Sequence, residues 1–202
     1  MNLNRKQILI VILLIISSGL SSPGFAREVL KSSPSPVPKI ITVDPPQDLE
    51  TCFSPDMLCK QKLVQFILNT KSSLDIAIYD LTDRDIAEAI TKIAQAKIPA
   101  ILIRIIVDCG RSQKTYSKIS TLKIPKIVIQ AGKQTAIMHD KFMIRDGIMV
   151  ETGSFNYSVA ASQSNQENQV YLAHPTIVSA YKKRFESMWE KPGECDFNKS
   201  NH

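Results

Sequence analysis

Residues 74–107 read LDIAIYDLTDRDIAEAITKIAQAKIPAILIRIIV. Leu74 to Tyr79 is a short apolar run broken by a single acid, and it reads as a strand. Thr82 or Asp83 can then cap a helix from about Arg84 to Ala96, because Ile86, Ala89, Ile90 and Ile93 fall on one face at helical spacing. Ile101 to Val107 is almost entirely aliphatic and β-branched, the composition of a strand covered on both faces. A strand, a helix and a second strand in succession predict an α/β layer architecture.

Upstream, Leu58, Leu63, Phe66 and Ile67 lie at mixed three- and four-residue spacings and predict an amphipathic helix, with regular structure starting near Asp56. Residues 27–50 read as a tether, since Ser32-Ser33-Pro34-Ser35-Pro36-Val37-Pro38 can sustain neither helix nor central strand. Residues 1–26 open with Arg5 and Lys6, continue through the apolar run Ile8 to Ile16, and end in the small residues leading to Ala26. That order is the pattern of a secretory signal peptide. An uncleaved anchor over Ile8 to Leu20 is the alternative, and either reading takes the rest of the chain, periplasmic or secreted, out of the cytoplasm. The net charge of +6 is compatible with an anionic substrate and does not by itself select one.

Export gives the four cysteines their meaning, because an oxidising compartment favours disulfides. Cys52 and Cys59 could close a local loop, leaving Cys109 and Cys195 to tie a strand end to the C-terminus. Four cysteines nevertheless allow three pairings. A zinc site lacks support: there is no CxxC, and His174 and His202 show no ligand spacing to the cysteines.

Downstream, Ile127 to Ile129, Lys141 to Ile144 and Ile148 to Glu151 are strand-like, and Asp146-Gly147 between the last two is a hairpin signal. Val170 to Leu172 reads as one more strand before a helix from about Thr176 to Trp189, on which Tyr181, Phe185 and Trp189 read as core packing. No internal repeat is present. On a strand, His139 and Lys141 would share a face and aim an imidazole and an ammonium at one volume. Gly153 would allow close backbone approach, and Ser154 and Asn156 would supply short polar groups. A phosphate diester needs such a set: cationic and neutral donors for its non-bridging oxygens, and an imidazole, whose ordinary pKa is near neutrality, as nucleophile. Glu167 is a candidate to orient that imidazole. No carboxylate cluster is available to hold a metal, and neither metal nor cofactor is expected.

The run His139-x-Lys141-x4-Asp146-x6-Gly153-Ser154-x-Asn156 matches the HKD motif of the phospholipase D superfamily. With its surroundings, including Asn165-Gln166-Glu167-Asn168, it resembles the short, single-motif bacterial endonuclease branch, from about Thr51 to Trp189. The resemblance implies one phosphodiesterase domain, residues 51–192, with a mixed central sheet flanked by helices on both faces and a short tail at 193–202. It also implies a phosphohistidine intermediate and a catalytic set of His139, Lys141, Asp146, Ser154, Asn156 and Glu167. Within that set Asp146, at the turn, reads as structural. A single motif further implies a homodimer in which two copies of His139 share one site, one as nucleophile and one as general acid.

Arg111, Lys114 and Lys118 follow a strand end, where ligands of open α/β sheets bind; with Arg104 they are phosphate-contact candidates or a solvated basic surface. His174 reads as incidental. Nucleic acid is the favoured substrate on motif likeness and charge. Phospholipid head groups are the alternative and would ask for an exposed apolar rim, for which Phe142, Phe155 and Tyr157 are candidates. A non-catalytic binding module is disfavoured, since His139 and Lys141 are both intact.

Overall fold

The computed structural model describes residues 49–96, 100–122, 127–131, 136–193 and 195. The expected signal peptide, most of the tether and most of the C-terminal tail lie outside the described residues. Seven strands form one mixed sheet: β1 (Leu49–Ser54), β2 (Ser73–Ile78), β3 (Leu102–Val107), β4 (Ile127–Ala131), β5 (Lys141–Arg145), β6 (Met149–Gly153) and β7 (Glu167–Leu172). Their order is β1-β7-β6-β5-β2-β3-β4. β2, β3 and β4 run parallel, while β5, β6, β7 and β1 extend the sheet antiparallel from β2.

Helices α1 (Cys59–Leu68) and α2 (Arg84–Ala94) cover one face. Leu63, Phe66, Ile86, Ile90 and Ile93 pack there with Leu74, Ile76, Ile103, Ile105 and Met143 in the main core. Alternate residues of the same strands, Ala77, Ile106, Phe142, Ile144 and Val150, point the other way and meet Val178 and Phe185 of α5 (Pro175–Trp189). This period-two division is why the central strands read as continuous apolar runs. Each large aliphatic side chain so buried contributes about 1.5–3 kcal/mol relative to exposure. Two short helices, α3 (Cys109–Ser112) and α4 (Val159–Gln163), sit in connections.

The mixed sheet with helices on both faces is as expected, and Asp83 is the cap of α2, its Oδ1 accepting from the backbone of Asp85 and Ile86 at 2.9 and 3.2 Å. Both disulfides form, Cys52–Cys59 and Cys109–Cys195. One boundary differs. Among the described residues regular structure starts at Leu49, not near Asp56, because β1 adds to the free side of β7, pairing Leu49 with Leu172 and Ser54 with Glu167. The segment's own sequence is weakly apolar; the partner strand decides it.

Arg104 is a closed structural ion pair, which corrects its candidacy for phosphate contact. Its Nε and one terminal nitrogen donate to Asp75 at 2.7 Å each, and both terminal nitrogens reach Glu186. The guanidinium also stacks on Phe185 and Trp189. Tyr181, Phe185 and Trp189 do belong to the packing under α5.

Asp146 and Gly147 both take positive φ, 55° and 69°, as a tight hairpin turn with the strand twist requires. The Asp146 carboxylate reaches across to the start of β2. It accepts from the backbone N–H groups of Lys71, Ser72 and Ser73, at 2.7 to 3.2 Å, and from the Ser72 hydroxyl. Burial alone would raise its pKa, but those backbone donors override burial and hold it below the ordinary carboxylate range. Asp146 thus lies at the far end of β5 from His139, where its carboxylate holds the turn against the start of β2. Asp146→Ala is expected to cost about 1–3 kcal/mol in chemical denaturation by removing those charge-assisted hydrogen bonds, with turnover per folded molecule retained.

Candidate active site

The topology brings the motif to one end of the sheet. The C-terminal ends of parallel β2 and β3 lie beside the start of antiparallel β5, since Ile78 pairs with Lys141. The end of β6 and the start of β7 lie at the same end, with Gly153 opposite Gln169. Tyr79-Asp80, Asp108, Lys141, Ser154 and Glu167 therefore all leave the sheet at one rim, the place where open α/β sheets bind ligands.

His139 is exposed and lies before the strand, which begins at Lys141, so shared strand geometry is not what pairs the two side chains. Three pins hold its segment instead. The Met138 N–H donates to Asp108 Oδ2 at 3.0 Å, the Lys141 ammonium donates to the His139 carbonyl at 2.9 Å, and Asp140 pairs with Arg184 of α5 at 2.9 Å. The imidazole then meets the Tyr79 ring edge-on, centroids 4.5 Å apart. Lys141 Nζ lies 5.2 Å and the Arg111 guanidinium 5.5 Å from the centroid of that same ring. Burial pulls the Lys141 ammonium below the ordinary lysine range, opposed by the nearby carboxylates of Glu167, Asp140 and Asp80.

Gly153 is required by close approach: a Cβ there would lie 2.0 Å from the Asn168 carbonyl oxygen. The Ser154 N–H donates to that carbonyl at 3.1 Å, which fixes the loop after β6. Ser154 Oγ donates to Glu167 Oε2 at 2.5 Å and accepts from Asn168. The other Glu167 oxygen accepts from Asn165. Glu167 therefore holds Ser154 within this chain, which differs from the expected contact to the imidazole, and the Ser154 proton is already committed. Asn156 follows on a loop pinned to Asp80 through the Tyr157 N–H at 3.0 Å, and its Oδ1 is buried with no hydrogen-bond partner. Behind it, the fully buried Glu151 accepts from the Tyr157 hydroxyl at 2.9 Å, and burial pushes its carboxyl up to about 8.

Arg111 is brought to the site, whereas Lys114 stands exposed on the turn that follows α3. His174 is the N-cap residue of α5, away from the motif. Phe142, Phe155 and Tyr157 are all buried and form no apolar rim. Tyr79, Asp80 and Asp108 escaped sequence reasoning; their signal was position, directly after aliphatic strands. A groove of about 710 Å³ lined by Gly147, Ile148, Val178 and Lys182 lies at the other end of β5, apart from the motif. Among the described residues no three His, Cys, Asp or Glu side chains are gathered as metal ligands would be.

An imidazole, an ammonium and a guanidinium around one ring, at the rim of this sheet, form a set that can hold and attack a phosphate diester. The family described as "Cardiolipin synthase, PLD-like domain" matches residues 63–189. A mitochondrial cardiolipin hydrolase of Xenopus laevis is 32% identical over 174 residues, 85% of this chain and 80% of that protein. A phospholipase D of Rickettsia felis is 28% identical, covering 88% of this chain and 92% of its own length. Among solved structures, the phospholipase D family member Nuc from Salmonella typhimurium aligns with a TM-score of 0.63 at 26% identity, over 72% of this chain and 95% of Nuc. NucT from Helicobacter pylori aligns with a TM-score of 0.64 at 26% identity, over 72% and 99%. The chain belongs to the phospholipase D superfamily, as its single HKD motif implied.

Proposed function

We propose that this protein is a metal-independent phosphodiesterase that works through a phosphohistidine intermediate, with nucleic acid as its substrate class. The convergence of His139, Lys141 and Arg111 on the ring of Tyr79 carries this reading. The imidazole attacks phosphorus and the bond to the leaving oxygen breaks. Lys141 and Asn156 neutralise and hold the non-bridging oxygens, where charge builds in the transition state. Glu167 acts by fixing Ser154 and by balancing the half-desolvated Lys141. The leaving oxygen needs a proton, and a single-motif chain has one such imidazole; a second copy of His139, across a homodimer interface, supplies it and then activates the water that cleaves the phosphohistidine.

Nucleic acid is favoured because the partly exposed guanidinium of Arg111 stands at the site with the exposed Tyr116 ring against it, while the candidate apolar rim is buried. One observation supports the phospholipid alternative: Ile137, two residues before His139, is 67% exposed. The Xenopus and Rickettsia relatives, a cardiolipin hydrolase and a phospholipase D by name, point the same way. The two disulfides support the reading of residues 1–26 as an export signal, since such bonds persist outside the cytosol.

The discriminating experiment incubates purified protein with plasmid DNA, RNA, phosphatidylcholine and cardiolipin vesicles, all in EDTA. Cleavage of nucleic acid that survives the chelator is the expected result. Lipid hydrolysis without nicking would replace the nuclease reading by the phospholipase one. Loss of all activity in EDTA would end the metal-independent mechanism.

A further inference from the structure

Arg104 and Arg111 both carry ion pairs, and the two are built differently. Arg104 spends its whole fork on two carboxylates and lies under two aromatic rings. Arg111 makes one side-chain hydrogen bond, from a terminal nitrogen to Asp80 Oδ2 at 2.8 Å. Its Nε is buried without a partner, and so is Asp80 Oδ1, so the pair leaves half of each group unused. A guanidinium fork is suited to bidentate contact with a carboxylate or a phosphate, and here it makes none. The side chain is nevertheless held in place, with Tyr79 on one ring contact and Tyr116 on another at 5.3 Å. It remains 33% exposed, and Tyr116 is 47% exposed.

We propose that Arg111, with Tyr116 beside it, is a subsite for a second phosphate of the substrate, adjacent to the diester being cleaved. It takes substrates that carry phosphates in series and leaves single diesters at a disadvantage. Both the guanidinium and the imidazole lie within 5.5 Å of one ring centroid, so a phosphate at Arg111 is a near neighbour of one at His139. In the free protein Asp80 occupies one terminal nitrogen of the guanidinium, and an incoming phosphate takes the other, which that single contact leaves open. Phosphates in series occur in a nucleic-acid strand and in cardiolipin, and the chemistry of the subsite is the same for either. The inference rests on the phosphodiesterase reading and adds to it the class of molecule that is preferred.

The test is a ratio of specificities. In the nucleotide arm, kcat/KM is compared between bis(p-nitrophenyl) phosphate, which has one phosphate, and a short oligothymidylate. In the lipid arm it is compared between phosphatidylcholine and cardiolipin vesicles. Wild type is expected to favour the substrate with several phosphates in at least one arm, and that arm identifies the source. In Arg111→Met the same ratio is expected to fall about tenfold or more, the loss of a charge-assisted contact. Arg111→Lys, which keeps the charge and loses the fork, is expected to fall between the two and serves if the methionine variant fails to fold. Equal fractional losses on both substrates, or an unchanged ratio, would overturn the subsite. Absence of turnover by wild type on every substrate would instead overturn the underlying phosphodiesterase reading, and the subsite with it.

Discussion

His139→Ala is expected to lower turnover by about four orders of magnitude or more on whichever diester the protein cleaves, while leaving the fold intact. The side chain is exposed and contributes only its edge contact with Tyr79, so its removal costs the core nothing. The segment is pinned by Asp108, Asp140 and the Lys141 ammonium through bonds that do not involve the imidazole. A stability measurement beside the assay should therefore show little change. Brief reaction of wild type with a phosphate-labelled substrate, quenched in alkali, is expected to trap an acid-labile adduct that the variant lacks. Residual activity within tenfold of wild type would remove His139 from the nucleophile's role. In a homodimer with a shared site the substitution removes nucleophile and general acid together, which is why the loss should approach the background rate.

Stability should depend on pH through Glu151. Its carboxyl is fully buried, with the Tyr157 hydroxyl as its donor at 2.9 Å, and burial raises its pKa from 4.5 to about 8. A carboxyl whose pKa is higher in the folded state favours folding while it is protonated in both states. That contribution is fully present below pH 4.5, declines as the unfolded chain ionises, and is lost by about pH 8. Glu151→Gln keeps an acceptor for Tyr157 and cannot ionise. The variant is expected to gain on wild type steadily across that window, reaching a difference on the order of a few kcal/mol at alkaline pH. Denaturant curves for both proteins from pH 4 to 9 check this, and parallel curves would show that Glu151 titrates normally. The loop bearing Asn156 hangs from Tyr157, so Glu151 also steadies the site from behind.

The chain's local chemistry reached far into this structure. Residues 74–107 dictated strand, helix and strand because aliphatic runs and a helical stripe differ in period, and Asp83 could be read as a cap from its place before that stripe. Asp146-Gly147 announced a turn, since few residue pairs accept positive φ in succession. The spacing of His139, Lys141, Gly153, Ser154 and Asn156 carried the family and the reaction class, because it reflects one hairpin and the loop after it.

What escaped the sequence depends on groups far apart in the chain. β1 exists because β7 offers it an unpaired edge, and no signal within residues 49–54 could announce that edge. Arg104 and Arg111 look alike in sequence, yet one is closed by Asp75 and Glu186 and the other is left half open beside Asp80. Glu167 turned toward Ser154, not toward the imidazole, because β7 places it opposite the loop that follows β6. The sequence by itself carried the histidine and the lysine at the spacing that marks the family. Tertiary structure alone decided how they meet, around the ring of Tyr79, because the parallel strands and the hairpin end at the same rim of one sheet.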